Sequence, residues 1–408
     1  MSVGGSLSDA YLARQPIFDR QMRIFGYEIL YRAGPENAVD PYTEGDKATS
    51  SVLVDMFTHH DLERLIGDQR AFINLTPTFL RDPGMLPLSQ DRLVLEVLED
   101  IVVDEEMLTS VRHLSQSGYT LALDDFVLND NTRPLVPLAD LIKLDIRALS
   151  EEELQAHVEE LHPYPAKLLA EKVETHAELA QCRQMGFDYF QGFFLSRPRL
   201  VKARRLPTDR VRILDLLSRL QDPDASPEQL AELIGADVSL SYRLLRLINS
   251  AFFPIRREID SVRRAVVYLG LQGVRTWATW IALSGIKEKP TELKVIALAR
   301  ARMCALLCEE LAGEQCDRWF AVGLFSAVDA LLDLPLEQAV DPLPLSEEFH
   351  QALLNHEGLM GRALHTVLAY EEGEWAQMEN LGLPADRLRD IYLDALSWAE
   401  GADSALQA

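Results

Sequence analysis

Six short apolar runs punctuate the first half of the chain: Ala71–Leu75, Leu93–Leu98, Thr120–Leu123, Leu141–Leu144, Ala166–Ala170 and Tyr189–Leu195. Between them the apolar spacing lengthens to that of a helix, as over Val103–Ser115 and Glu151–Leu161. Strands alternating with helices predict βα units around a parallel sheet. Six or more strands in about 190 residues fit a (β/α) barrel better than a sandwich. The pattern changes after Pro198. Val201–Pro207 is basic and lacks strand character, so it reads as a connector, and from Asp209 onward the period is helical throughout. Ser226-Pro227 and Ser261 have the chemistry of helix starts. Gly235, Gly270 and Gly273 suit helix stops or close-contact points, and Pro342 and Pro344 suit a loop. The expected fold class is therefore α/β plus all-α: a barrel over residues 1–200, a connector at 201–208, a helical domain over 209–400 and a tail at 401–408.

The 408 residues suffice for two or three domains, and 48% of them are hydrophobic, which excludes general disorder. Net charge changes the list of partners more than the fold. Residues 1–200 carry 33 acids and 18 bases, and the remainder carries 31 and 22, which gives the total of −24. Neither half has the Lys and Arg excess that duplex binding needs, so DNA is not expected, and anionic membrane surfaces are disfavoured. No charge-free apolar stretch is long enough for a membrane span, and the first residues lack a signal-peptide layout. A cytoplasmic location is expected. Cys182, Cys304, Cys308 and Cys316 are too few for a disulfide scaffold, and Cys304 and Cys308, one helical turn apart, have no partner at zinc spacing. Buried reduced thiols are expected.

The candidate chemistry lies where polar residues meet the apolar runs. Asn74, Glu96, Asp124, Asp125, Lys143 and Glu171 each sit within or just after one. A buried charge is costly unless it is paired or metal-bound. Five strands each delivering such a residue would converge them at one face of a barrel. Several carboxylates with one Asn and one Lys make an oxygen-rich site suited to Mg²⁺ or Mn²⁺. Two such ions can clamp a phosphodiester and activate a water for in-line attack.

The same residues carry a family resemblance. Gln15-Pro16-Ile17, Glu28-Ile29-Leu30-Tyr31-Arg32, Asn74-Leu75-Thr76-Pro77, Glu96-Val97-Leu98-Glu99, Asp124-Asp125-Phe126, Lys143-Leu144-Asp145, Ala170-Glu171-Lys172-Val173-Glu174 and Gln191-Gly192-Phe193 occur in the order found in EAL domains. The N-terminal half resembles that family of barrel-fold phosphodiesterases, which linearise cyclic di-GMP to pGpG. The resemblance implies that Glu28, Asn74, Glu96 and Asp124 hold one metal ion and that Asp124 and Asp125 hold a second. It implies that Lys143 positions the attacking water, that Glu171 binds the second metal or takes the water's proton, and that Gln191 orients the site. Arg32 would meet a substrate phosphate, Gln15 and Leu30 would line the nucleotide groove, and Glu99 would steady the loop after Asp125.

Three departures stand out. The family's glycine-rich loop after Asp-Asp-Phe is replaced by Val127-Leu128-Asn129-Asp130-Asn131-Thr132. Lys172 stands where the family has glycine. The segments from Glu28 to Asn74 and from Asn74 to Glu96 are short, so one or more barrel helices are expected to be trimmed. In the family that loop supports the second metal and links to dimerisation, so a homodimer is among the implied states. A barrel that binds cyclic di-GMP or a protein without cleaving anything is the alternative.

In the helical half, Glu232–Ser250 has a helix-turn-helix spacing. Leu240, Leu244, Leu245, Leu247 and Ile248 form a wide apolar stripe, which favours a buried helix pair over DNA reading. Seven arginines follow between Arg243 and Arg275, for which solvated or intramolecularly paired positions are the default expectation. Leu244–Gly270, with Leu-Ile-Asn-Ser-Ala-Phe-Phe and Ile-Asp-Ser-Val-Arg-Arg-Ala-Val-Val-Tyr-Leu-Gly, resembles HDOD domains, helical relatives of HD-type metal phosphohydrolases. Where an HD dyad would follow Gly323-Leu324-Phe325, this chain has Ser326 and Ala327. His350, His356 and His365 read as surface or capping residues. The resemblance implies a non-catalytic module that regulates the barrel or docks a protein partner. The order of the two domains resembles the bacterial EAL–HDOD signalling proteins.

Overall fold

The computed structural model describes residues 10–33, 61–74, 90–98, 103–196 and 208–407, apart from 254, 256, 287, 288 and 380. Two compact units result. One runs to Leu195 and includes Glu371–Ala376 and Pro384–Arg389; the other holds the remaining residues from Ser196 onward.

The first unit is a closed eight-stranded barrel. Its strands are β1 Ala10–Asp19, β2 Ile24–Ala33, β3 Arg70–Asn74, β4 Leu93–Val97, β5 Thr120–Leu123, β6 Leu141–Asp145, β7 Lys167–Glu171 and β8 Tyr189–Gln191. The six apolar runs became β3 to β8, and the barrel class holds. The run expected through Leu195 stops sooner, because Phe193–Ser196 turns into a 3₁₀ helix. β1 and β2 were not read as strands. They form a hairpin in which β1 runs antiparallel to both β2 and β8, while β2 to β8 are parallel to one another.

Helices α1 Asp61–Ile66, α2 Glu105–Gln116, α3 Glu151–Leu161 and α4 His176–Met185 lie between strands. Local chemistry fixes their starts: Asp104 caps α2, and Ser150 and Thr175 form capping boxes with Glu153 and Glu178. Between β5 and β6 there is a 3₁₀ helix, Arg133–Leu138, instead of an α-helix. Pro134 and Pro137 remove two backbone donors there, while residues 34–60 and 75–89, which hold most of the segments expected to be trimmed, lie outside the described residues.

The barrel interior is layered. Ile17, Phe72, Val94, Ala122, Leu141 and Leu169 pack as one buried cluster, with Phe25 and Tyr189 against it. Gly26 sits among them: a Cβ there would come within 2.9 Å of the Arg70 carbonyl and the Phe72 ring.

The second unit is helical: α5 Thr208–Leu220, α6 Pro227–Gly235, α7 Val238–Ile248, α8 Val262–Ser284, α9 Thr291–Leu311, α10 Cys316–Phe325, α11 Val328–Leu332, α12 Leu336–Val340, α13 Glu347–Asn355, α14 Gly358–Glu371 and α15 Ala385–Gln407, of which Glu371 and the first turn of α15 count with the first unit. Ser226 and Ser261 are N-caps as expected, and Pro227 is the first residue of its helix. Gly270 takes φ 73° and kinks α8. The expected frayed tail is instead helical through Gln407, with Ala402 and Leu406 buried.

The reduced-thiol expectation is corrected for two of the four cysteines. Cys308 and Cys316 form a disulfide with a Cα–Cα distance of 5.4 Å, while Cys182 and Cys304 are buried and outside any disulfide. The cause is the tight turn between α9 and α10, which brings the last turn of one helix beside the first residue of the next.

Candidate active site

Side chains two residues apart on a strand share a face. One step beyond the apolar layer, every strand therefore presents a polar group. Asn74 follows Phe72, Glu96 follows Val94, Asp124 follows Ala122, Lys143 follows Leu141, Glu171 follows Leu169, Gln191 follows Tyr189, and Glu28 follows Gly26. On antiparallel β1 the order reverses, and Gln15 precedes Ile17 while pairing with Glu28. The result is one polar side chain per strand, stacked on an apolar floor.

Lys143 is the centre of this layer and is fully buried. Its Nζ lies 2.6 Å from Glu96 Oε1, 2.6 Å from Asp124 Oδ1, 2.9 Å from Glu171 Oε1 and 3.2 Å from Glu28 Oε2. Gln191 Nε2 donates to Glu28 Oε2 at 2.5 Å and to Gln15 Oε1 at 2.7 Å. Gln191 keeps its place because Gly192 follows it. At φ 142°, Gly192 crosses the Val173 backbone so closely that a Cβ would overlap it. Val173 N–H donates to the Gln191 carbonyl, and Phe194 N–H donates to the Val173 carbonyl.

Four carboxylates face one ammonium. Burial works against the Lys143 charge, but Glu28, Glu96, Glu171 and Asp124 outweigh it and hold its pKa well above the ordinary lysine value. Burial raises Glu96 well above the usual carboxylate range against the pull of Lys143. Burial likewise pushes Glu171 up to about 8, again opposed by Lys143 and reinforced by Asp124 and Glu28. Burial is the largest influence on both carboxyls, and the single ammonium does not cancel it.

The unpaired atoms point the same way. Asn74 Oδ1, Glu96 Oε2, Glu171 Oε2 and Gln191 Oε1 are buried without a hydrogen-bond donor. Surplus buried acceptors built only of oxygen fit a hard divalent cation. Among the described residues no three carboxylates are already drawn together at metal-ligand spacing, since the Lys143 ammonium stands between them. The donor set fits a metal in chemistry, and Lys143 would have to give way to it.

Asp125 lies apart from the Lys143 cage. It takes φ 40°, and its Oδ1 is 3.4 Å from Lys172 Nζ. Leu30 is half-buried and packs against Gly373, whose Cβ would lie 3.0 Å from the leucine. Trp375 of the same segment stacks on Tyr11 at 5.2 Å. Arg32 pairs with Tyr11 across the β1–β2 hairpin. The side chain of Arg32 and all of Glu99 lie outside the described residues.

The loop after Asp125 does not need the glycines it lacks. None of residues 127–132 has a positive φ. Asn129 Oδ1 accepts from Asn131 N–H at 2.9 Å and from Thr132 N–H at 3.1 Å, and Thr132 Oγ1 donates to the Val127 carbonyl at 2.7 Å. Asn and Thr side chains close this turn in place of a left-handed glycine.

Sequence reasoning gave no role to two residues that enter the site. Lys172 Nζ is 2.6 Å from Asp145 Oδ2 as well as being near Asp125. The sequence signals were the Lys-for-Gly departure after Glu171 and, for Asp145, its place in Lys143-Leu144-Asp145.

The position of the lost HD dyad holds no ligand set. Ser326 ends α10, donating to the Gly323 carbonyl at 2.7 Å and accepting from Arg300 Nη1 at 3.1 Å. Ala327 is buried. Nearby Asp333 pairs with Arg210 and with Lys289, each at 2.6 Å, and all three side chains are largely buried. Burial pushes Asp329 up to about 6. His356 is the left-handed cap of α13, as a capping role required. The helix-turn-helix segment is α6 and α7, with Leu240, Leu244, Leu247 and Ile248 buried, whereas Leu245 is half-buried. Arg243 is spent on the Ile281 carbonyl and Ser284, and Arg275 on the Asp222 carbonyl.

Known proteins match this division. A family model described as EAL domain matches residues 8–198, and one described as HDOD domain matches residues 206–336. The cyclic di-GMP phosphodiesterase CdgJ of Vibrio cholerae is 33% identical over 398 residues, covering 96% of this chain and 92% of its own. The chain belongs to the EAL–HDOD family. A second relative, the uncharacterized protein YuxH of Bacillus subtilis, is 32% identical over 399 residues, 95% of this chain and 97% of its own. Among solved structures, the PaMucR phosphodiesterase complex with c-di-GMP is 24% identical, with a TM-score of 0.40 over 47% of this chain and 97% of that one. The Bacillus subtilis YkuI protein, solved with c-di-GMP and calcium, is 20% identical, with a TM-score of 0.38 over 57% of this chain and 73% of that one. Among the described residues no helix is long and apolar enough to cross a membrane.

Proposed function

We propose that this EAL–HDOD protein hydrolyses cyclic di-GMP to linear pGpG with divalent metal ions, Mg²⁺ or Mn²⁺, at the polar layer of the barrel. The observation that carries the reading is the Lys143 cage: four carboxylates from four strands, with buried oxygens left without donors. Glu28, Asn74, Glu96 and Asp124 would hold one ion, and Asp124 and Asp125 would face a second. When bound, such ions neutralise the phosphodiester and lower the pKa of a water. Glu171, buried against Lys143, would accept the water's proton. Lys143, displaced from the cage centre, would orient the attacking water. Gln191 holds Glu28 and Gln15 in register, and Gln15, Leu30 and Arg32 would lie along the nucleotide. The helical unit, with Ser326 and Ala327 where metal ligands would be needed, would regulate the barrel or dock a protein partner.

Purified protein incubated with cyclic di-GMP and Mg²⁺ or Mn²⁺ should yield linear dinucleotide, and Glu28→Ala should yield none. Turnover unchanged in Glu28→Ala would place the site elsewhere. A second reading, binding without cleavage, is favoured by the ammonium groups of Lys143 and Lys172 already seated on the carboxylates. It requires saturable binding with intact substrate.

A further inference from the structure

Lys172 stands in a backbone conformation made for glycine. Its φ is 56°, in the left-handed region that glycine enters freely and a long side chain seldom does. The conformation is held by neighbours on both sides. Arg147 Nε donates to the Lys172 carbonyl at 3.1 Å, and the Arg147 guanidinium is anchored by Glu174 and Glu178 at 3.0 and 3.2 Å. Asp145 is fixed as well, its Oδ1 accepting from Arg147 N–H at 2.8 Å and Ala148 N–H at 3.3 Å.

This braced turn delivers the Lys172 ammonium to two carboxylates, Asp145 Oδ2 at 2.6 Å and Asp125 Oδ1 at 3.4 Å. Asp125 is the acid that stands outside the Lys143 cage and that the proposed function assigns to a second ion. We propose that Lys172 is a built-in counter-ion for Asp125, taking the charge-balancing place of a second divalent cation, so that the barrel binds one ion firmly and a second one weakly. The inference rests on the metal-site reading above.

The physical reason is direct. A fixed ammonium within ion-pair distance cancels much of the potential that Asp125 offers a cation, and two cations a few ångströms apart repel. The Lys172 side chain is about half exposed, so solvent screens the effect and the second ion is weakened, not excluded.

The test counts Mn²⁺ ions on metal-free protein by equilibrium dialysis, with free Mn²⁺ read by electron paramagnetic resonance. Three chains are compared: wild type, Lys172→Gly and Lys172→Asn. Gly and Asn both tolerate the left-handed backbone and both remove the charge. Wild type should bind one ion tightly, and both variants should tighten the second ion by about tenfold or more. Adding Asp125→Asn to Lys172→Gly should abolish that gain. Two ions of equal affinity on wild type, or variants that leave the second ion unchanged, would overturn the proposal. A gain confined to Lys172→Gly would assign the effect to the backbone and overturn it too. No Mn²⁺ on any of the chains would remove the metal-site reading itself, a result separable from the others.

Discussion

In the barrel, one buried ammonium serves four carboxylates, and several buried oxygens are left over. In the helical unit, one buried carboxylate, Asp333, serves two cations, Arg210 and Lys289. Both regions bury charge. Of these two clusters, only the one in the barrel has more carboxylates than cations. The contrast teaches where to look for function: a balanced buried ion cluster is a structural device, whereas an unbalanced one asks for a ligand of the missing sign.

The largest expected effects come from removing the central charge on each side. Lys143→Met leaves the carboxylates uncompensated and should cost the metal-free protein about 3–5 kcal/mol. Mn²⁺ should restore much of it, read as urea unfolding with chelator and then with metal. Asp333→Asn should cost about 3 kcal/mol by stranding two cations, and Mn²⁺ should make no difference. Metal rescue of Asp333→Asn, or none for Lys143→Met, would break the comparison.

A smaller effect shows that a burial-raised carboxyl is not confined to the barrel. Asp329 in the helical unit has its carboxyl raised from 3.8 to about 6 by burial. A raised carboxyl binds protons more tightly folded than unfolded. Its contribution is therefore full below pH 3.8 and is lost as pH rises through about 6. Asp329→Asn should flatten that slope and be more stable at pH 7 by on the order of 2 kcal/mol. Unfolding midpoints between pH 4 and pH 7 check it; equal slopes in both proteins would contradict it.

The smallest effect concerns the loop after Asp125. Asn129→Gly removes the acceptor for two backbone N–H groups and should cost about 1 kcal/mol of local order. Hydrogen exchange across residues 127–132 should quicken and turnover should fall. A gain in turnover would mean that the missing glycines handicap this loop after all.

Much of this was legible in the sequence. Polar residues set into apolar runs gave six of eight strands and five of the eight layer residues, because a strand's period of two converts spacing directly into a shared face, while Gln15, Glu28 and Gln191 came from the family resemblance. The β1–β2 hairpin was not legible as strands. Arg14, Gln15 and Pro16 interrupt β1, and its pairing with β8 joins residues far apart in the chain. The Cys308–Cys316 bond escaped because helical spacing describes one helix, and this pair spans the turn between two. Lys172 was visible as a departure but not as a counter-ion. Its role depends on a backbone angle and on Asp145, neither of which residue spacing encodes.

The most direct test strips the protein of metal with a chelator, supplies cyclic di-GMP, and separates the nucleotides before and after Mg²⁺ or Mn²⁺ is added. The account predicts intact substrate before addition and linear pGpG after it. Hydrolysis that proceeds at the same rate without metal, or substrate that stays intact with it, would contradict the claim that the barrel's surplus of buried carboxylate is a hydrolytic metal site.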